Sequence, residues 1–201
     1  MTKVEIAKGV INDAGGIAKT SAFLAAGLSK SDIGKLVNDT VIDRINHGFY
    51  KLAGNYDLSE SKYLSQLIPE GIVCVESALF YYGYSDFTPR EWSIAVPRAV
   101  SQRKIKTIDI PFKAYYVQPD SYELGKTYAN FEGTSLPIYN KERTICDCFK
   151  YRTKIDSELF AKAINAYAKD NEKNLANLSK YAKQLGVYKN VINMMEVLVN
   201  A

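Results

Sequence analysis

Few residues in this chain could do chemistry, and their spacing sorts them quickly. The one histidine, His47, falls in the turn Asn46-His47-Gly48, where solvent exposure or a phosphate contact suits it better than general-base work. The three cysteines, Cys74, Cys146 and Cys148, are an odd number, and with one histidine they cannot readily furnish a four-ligand zinc site. Cys146-Asp147-Cys148 is also too tight a pair for the usual metal spacing, so each thiol is expected to be buried and no metal or other cofactor is expected. Pro119-Asp120 followed by Glu123 is the nearest approach to a nuclease site. Two-metal cleavage of a phosphodiester, however, needs carboxylates brought together from separate strands, and these share one turn. The chain has no Gly-rich phosphate loop, no Gly-x-Ser-x-Gly elbow and no metal-binding histidine pair. Catalysis is therefore not expected.

The chemistry that remains is recognition of phosphates and base edges. Lys30, Ser31, Gly34, Lys35 and Asn38 are small or polar groups able to donate to phosphate oxygens or reach into a groove, with no large hydrophobe among them. To act together they must share one face of a helix, and the neighbouring residues provide one. Ser29 precedes Asp32 by a capping spacing, and Ile33, Leu36 and Val37 recur at i, i+3 and i+4, which assigns the opposite face to a core. Before this helix, Thr20 can cap a first helix carrying Ala22, Phe23, Ala25 and Ala26, which Gly27 ends. After it, Val41 to Ile45 and Phe49 to Leu52 alternate around Asn46-His47-Gly48, the pattern of a β-hairpin. Helix, turn, capped helix and hairpin within Ile17 to Leu52 predict a winged helix-turn-helix, with the hairpin as its wing. The alternative is a helical hairpin and strand pair used for packing or for protein contact.

With 201 residues and 47% hydrophobic content, the chain can build one large or two small cores. No run approaches twenty apolar residues and the opening MTKVEIAKGV lacks a signal-peptide core, so a cytoplasmic protein without a membrane partner is expected. The net charge of +4 is modest, and residues 1–58 hold 7 basic against 6 acidic side chains. Phosphate affinity scales with local cation count, so so weakly basic a reader would depend on dimers, cooperativity or cations elsewhere in the chain.

Val4 to Ala14 has helical spacing and stops at Gly15-Gly16, and a short helix from Ser59 is closed by Pro69. A domain boundary is placed there, giving a DNA-binding domain over residues 1–68 and a second domain over 69–201. In the second domain, Gly71 to Tyr82 reads as a buried helix. Trp92 to Val96, Ile105 to Ile110 and Ala114 to Val117 read as strands, and Lys126 to Tyr139 as a hairpin turning at Glu132-Gly133. Four helices follow: one capped by Asn140, one capped by Asp156 or Ser157, and amphipathic runs over Leu175 to Leu185 and Tyr188 to Val199. The expected class is α+β: an N-terminal winged helix-turn-helix, then a mixed α/β domain with a small sheet and a terminal helical region.

Two basic islands lie in the second half. Arg98, Arg103, Lys104, Lys106 and Lys113 either contact nucleic acid or an acidic partner, or solubilise a loop and an edge strand. Lys141, Arg143, Lys150, Arg152 and Lys154 cannot all share a face, which favours a solvated helix. Fifteen tyrosines include the pairs Tyr81-Tyr82 and Tyr115-Tyr116, which suit core packing better than base stacking.

Over nearly its whole length the chain resembles the AbiEi antitoxins of bacterial type IV toxin-antitoxin, abortive-infection systems. The matching stretches are GGIAKTSAFLAAGLSKSDIGKLV, RINHGFYKL, and ERTICDCFKYR with its Glu142-Arg-Thr-Ile-x-Asp147 signature. The resemblance implies an antitoxin that binds inverted repeats of double-stranded DNA in its own promoter. It also implies that the carboxy-terminal domain counters a nucleotidyltransferase-like toxin without a stable complex. DNA contact carries over onto Lys19, Thr20, Ser29, Lys30, Ser31, Lys35, Asn38, Arg44 and His47, and an antitoxic patch onto Arg98, Arg103, Lys104, Lys106, Arg143 and Lys150. A plain winged-helix repressor without antitoxin activity and a DNA-binding nuclease are the rival expectations.

Overall fold

The computed structural model describes residues 1–55, 57–101 and 110–199, the last three of these by backbone alone. The fold is α+β and contains two sheets. The chain divides into two compact units, one built on Met1–Pro69 and the other on Glu70–Val100 with the residues from Pro111 onward.

The first unit begins with helix α1 (Lys3–Asp13), opened by a capping box between Thr2 and Glu5. Gly15 and Gly16 then take φ of 72° and 103°, where a side chain would be strained, and turn the chain back. Strand β1 (Ala18–Lys19) leads directly into α2 (Thr20–Ala25). Gly27, at φ 88°, ends α2 and lets α3 (Lys30–Asn38) start. The hairpin follows as β2 (Ile42–Asn46) and β3 (Phe49–Leu52), with a bulge between Arg44 and Asn46. Strand β1 pairs antiparallel with β3, making the sheet three-stranded in the order β1-β3-β2. Ala7, Ile11, Phe23, Leu28, Ile33, Leu36, Ile42 and Tyr50 form one buried cluster, in which Phe23 meets Tyr50 edge to face at 5.6 Å. Helix α4 (Glu60–Leu67), capped by Ser59, closes the unit.

One cap differs from expectation. Residue Thr20 is the first helical residue of α2, and the N-cap, Lys19, makes no side-chain cap bond. Instead the Thr20 amide donates to the Gly48 carbonyl at 2.8 Å, and its hydroxyl reaches the same oxygen at 3.4 Å. A neighbour distant in sequence, the hairpin turn, satisfies the helix start that local spacing assigned to a side chain.

The second unit is organised on a five-stranded mixed sheet, order β6-β5-β4-β8-β7. Its strands are β4 (Ile72–Val73), β5 (Trp92–Pro97), β6 (Phe112–Val117), β7 (Lys126–Phe131) and β8 (Thr134–Tyr139). The stretch expected as one helix over Gly71 to Tyr82 is β4 followed by α5 (Val75–Tyr81). Val75 makes the switch, with φ 41°, an unusual conformation for a β-branched residue that only dense surroundings sustain. It is completely buried. A single turn of helix, α6 (Pro119–Tyr122), precedes the β7–β8 hairpin, which turns through Glu132 and Gly133 at φ 49° and 82°. The carboxy-terminal helices are α7 (Lys141–Lys150), α8 (Ser157–Lys169), α9 (Leu175–Gln184) and α10 (Tyr188–Val199), and Asn140, Asp156 and Asn174 cap the first three. Most of the expected strand over residues 105–110 lies outside the described residues.

Helix α7 departs most from its expected character. In place of a solvated basic helix, it is the central helix of the unit, with Glu142 to Cys148 all buried. Arg143 is completely buried: its Nε meets both Asp147 oxygens at 3.1 Å, its Nη1 donates to the Ser121 and Leu124 carbonyls, and its guanidinium lies 4.0 Å from the Tyr139 ring centroid. Burying a charge is tolerable only when it is paired and hydrogen-bonded, and the sequence separates these partners by up to 22 residues. All three cysteines are buried and unpaired in disulfides, and burial pushes the Cys146 thiol up to about 12.

Candidate nucleic-acid interface

In the first unit, the amino-terminal end of α2, one face of α3 and the hairpin turn line a groove of about 740 Å³. Helix α3 contributes Lys30, Ile33, Gly34, Val37 and Asn38, positions i, i+3, i+4, i+7 and i+8 along one side. The small Gly34 in the middle leaves that face open, and no atom would meet a Cβ built there within 4 Å. Lys19, Thr20 and Ser21 enter from the start of α2, and Arg44, His47, Gly48, Phe49 and Tyr50 from the hairpin.

Charge is segregated within this weakly basic unit. The groove lining holds Lys19, Lys30, Arg44 and His47, and it contains no carboxylate. The acidic residue nearest the start of α3, Asp32, points elsewhere: it binds Lys3 Nζ at 2.6 Å and completes the capping box with Ser29. The bond from Lys3, then those from Ser29, hold its carboxyl well below the usual carboxylate range. A carboxylate depressed in this way stabilises the fold above its unfolded pKa and loses that contribution only as pH falls through the folded value. This capping therefore persists through mildly acidic pH. The cations are ordered by local contacts. Lys19 Nζ sits 5.5 Å from the Phe49 ring centroid. Arg44 Nη2 lies 2.9 Å from His47 Nδ1, so a neutral His47 accepts there and carries its proton on Nε2.

Of the residues expected to contact DNA, six line the groove together: Lys19, Thr20, Lys30, Asn38, Arg44 and His47. Ser31 and Lys35 are exposed on the adjacent stripe of α3, outside the lining. The Ser29 hydroxyl is committed to the cap, accepting from the Asp32 amide at 3.1 Å and donating to its carboxylate at 2.7 Å. Sequence reasoning missed Ser21 and the apolar floor of Phe49 and Tyr50. Successive strand residues point to opposite faces, so the hairpin alternation signals only Tyr50, whose ring meets Phe23 of α2 edge to face.

The antitoxic patch expected in the second half does not stand as a group. Arg98 and Lys150 are exposed, whereas the buried Arg143 is unavailable to any partner. Arg103, Lys104 and Lys106 lie outside the described residues. The carboxylates of Asp120 and Glu123 both lie in or just after the single turn α6, and Glu123 is paired with Lys126 at 3.0 Å. Among the described residues no helix is long and apolar enough to cross a membrane.

Compared by sequence, the chain matches no protein-family model and no curated protein. Compared by structure, it is similar to the RV2827C protein from Mycobacterium tuberculosis, with a TM-score of 0.65 over 96% of this chain and 74% of that one. The two are 14% identical, so the likeness is one of fold.

Proposed function

We propose that this protein is a DNA-binding regulator that reads double-stranded DNA through a winged helix-turn-helix over residues 1–68, with α3 as the recognition helix and the β2–β3 hairpin as the wing. The observation that carries the reading is the cation-lined, carboxylate-free groove between α3 and the hairpin, in a unit whose overall charge is nearly balanced. Phosphate contacts depend on local cations rather than on net charge, and an open polar helix face beside them is what base readout needs. Together with its resemblance to AbiEi antitoxins, this supports an antitoxin of a type IV toxin-antitoxin system. Such a protein represses its own operon at inverted repeats and counters a nucleotidyltransferase-like toxin through the second unit, without catalysis of its own.

The test is binding to DNA from its own promoter. Lys30→Ala combined with Arg44→Ala removes two exposed groove cations and no core contact. It is expected to weaken binding about tenfold and to lower the slope of log affinity against log salt by roughly two. Fluorescence anisotropy across a salt series measures both, and an unchanged slope would refute the assignment. A second arm addresses the antitoxin. Co-expressed with the cognate toxin, the same variant is expected to protect cells as well as the parent does, because its substitutions lie outside the second unit. Loss of protection in a folded variant would count against separable roles.

A further inference from the structure

The groove proposed to hold DNA contains one pairing that is more than a row of cations. Arg44 and His47 are both exposed at the hairpin turn, and the guanidinium Nη2 lies 2.9 Å from the imidazole Nδ1. Backbone geometry brings them together. The bulge after Arg44 shifts the strand register, Arg44 Nε donates to the Asn46 carbonyl at 3.4 Å, and Asn46 Oδ1 accepts from the His47 amide at 2.6 Å. The Gly48 carbonyl, accepting from the Thr20 amide at 2.8 Å, ties this turn to the start of α2.

Arginine has no lone pair to offer, so His47 is the acceptor in this bond and its Nδ1 carries no proton. That state suits the free protein and not a bound phosphate. A phosphate oxygen drawn to Arg44 would meet the Nδ1 lone pair, acceptor against acceptor. One proton taken from solvent at Nδ1 turns that nitrogen into a donor, releases the Arg44 hydrogen, and leaves both side chains donating to one anion. Without the phosphate, the same proton would set two cations in contact, in a groove already lined by Lys19 at the start of α2 and Lys30 of α3. No carboxylate in the lining offsets them. The hairpin's one carboxylate, Asp43, precedes Arg44 by a residue and stands on the other face of β2, across from Lys51. Phosphate and proton therefore favour each other, on the side chain type whose charge changes near neutral pH.

We propose that Arg44 and His47 form a clamp for one backbone phosphate of DNA, closed by the uptake of one proton at His47. The proposal rests on the DNA-binding reading of this groove, and its test separates the two. Fluorescence anisotropy of the full chain with a promoter duplex, and with a scrambled duplex of equal length, gives affinity across a salt series at about pH 8 and about pH 6. A backbone contact carries no sequence information, so affinity for both duplexes is expected to rise about tenfold at the lower pH, within the limit of about tenfold per pH unit for one proton. The slope of log affinity against log salt is expected to steepen by about one, for one added phosphate contact. His47→Gln, which keeps an acceptor for Arg44 and cannot become a cation, is expected to remove both changes. Imidazole 15N spectra at fixed pH follow the proton directly, and it is expected to appear on Nδ1 as duplex is added. Equal affinity and salt slope at the two pH values, or a pH dependence that persists in His47→Gln, would overturn the clamp and leave the DNA-binding reading standing. Failure of both duplexes to bind at either pH would overturn both.

Discussion

Asp147→Ala is expected to destabilise the second unit by about 3–5 kcal/mol, because it leaves the fully buried Arg143 guanidinium without its counter-charge. Arginine does not shed its proton in compensation. The remaining bonds, from Nη1 to the Ser121 and Leu124 carbonyls, satisfy donors and do not neutralise charge. For a unit of this size the loss corresponds to a drop in melting temperature of about 10 °C or more. The cost belongs to the orphaned charge more than to the strength of the pair, and a double variant separates the two. Arg143→Leu with Asp147→Leu removes both charges from the same interior and is expected to be more stable than Asp147→Ala. Urea unfolding followed by circular dichroism measures all three. A double variant no better than the single would show that the Arg143 bonds to the α6 segment matter more than the buried charge.

Gly125→Ala is expected to cost about 2–5 kcal/mol through two additive causes. At φ +73° the backbone takes a conformation that costs a residue with a Cβ about 1–2 kcal/mol. A Cβ at this position would also stand 2.6 Å from Arg143 Cβ and 2.9 Å from Asn140 Oδ1, and such overpacking costs about 1–3 kcal/mol. Asn140 Oδ1 caps α7 by accepting from the Arg143 amide, so relief of the clash would disturb the start of that helix. Gly133 supplies the control. It has φ +82° in the β7–β8 turn, and a Cβ there would meet nothing within 4 Å. Gly133→Ala should therefore show the backbone cost alone, and the difference between the two variants in denaturant midpoint reports the packing of Gly125 on α7. Equal losses would mean that the clash relaxes without cost.

Both expectations concern α7, which also shows how far local patterns reach. Asn140 as its cap was legible because capping is a property of neighbours in sequence. Its environment was not. Lys141, Arg143 and Lys150 read as a charged surface, yet Arg143 is interior because Asp147, Tyr139 and the carbonyls of Ser121 and Leu124 converge on it. The same division runs through the candidate interface. The capping box of Ser29 and Asp32 and the hairpin around Asn46-His47-Gly48 followed from short-range chemistry. The gathering of Lys19, Lys30, Arg44 and His47 around one groove did not, because they come from the start of α2, from α3 and from the hairpin, which only the fold brings together.

Sequence alone determined the order and type of most elements in both units, the capped polar helix followed by a hairpin, and the burial of the thiols, since each is written in spacing of two, three or four residues. The tertiary structure decided that Thr20 answers to Gly48, that β4 breaks off from α5 at Val75, and that Arg143 lies inside while Lys30, Arg44 and Lys19 meet around one groove. The reason is physical: a residue's burial and charge environment are sums over atoms brought close by the whole fold, and no window along the chain contains them.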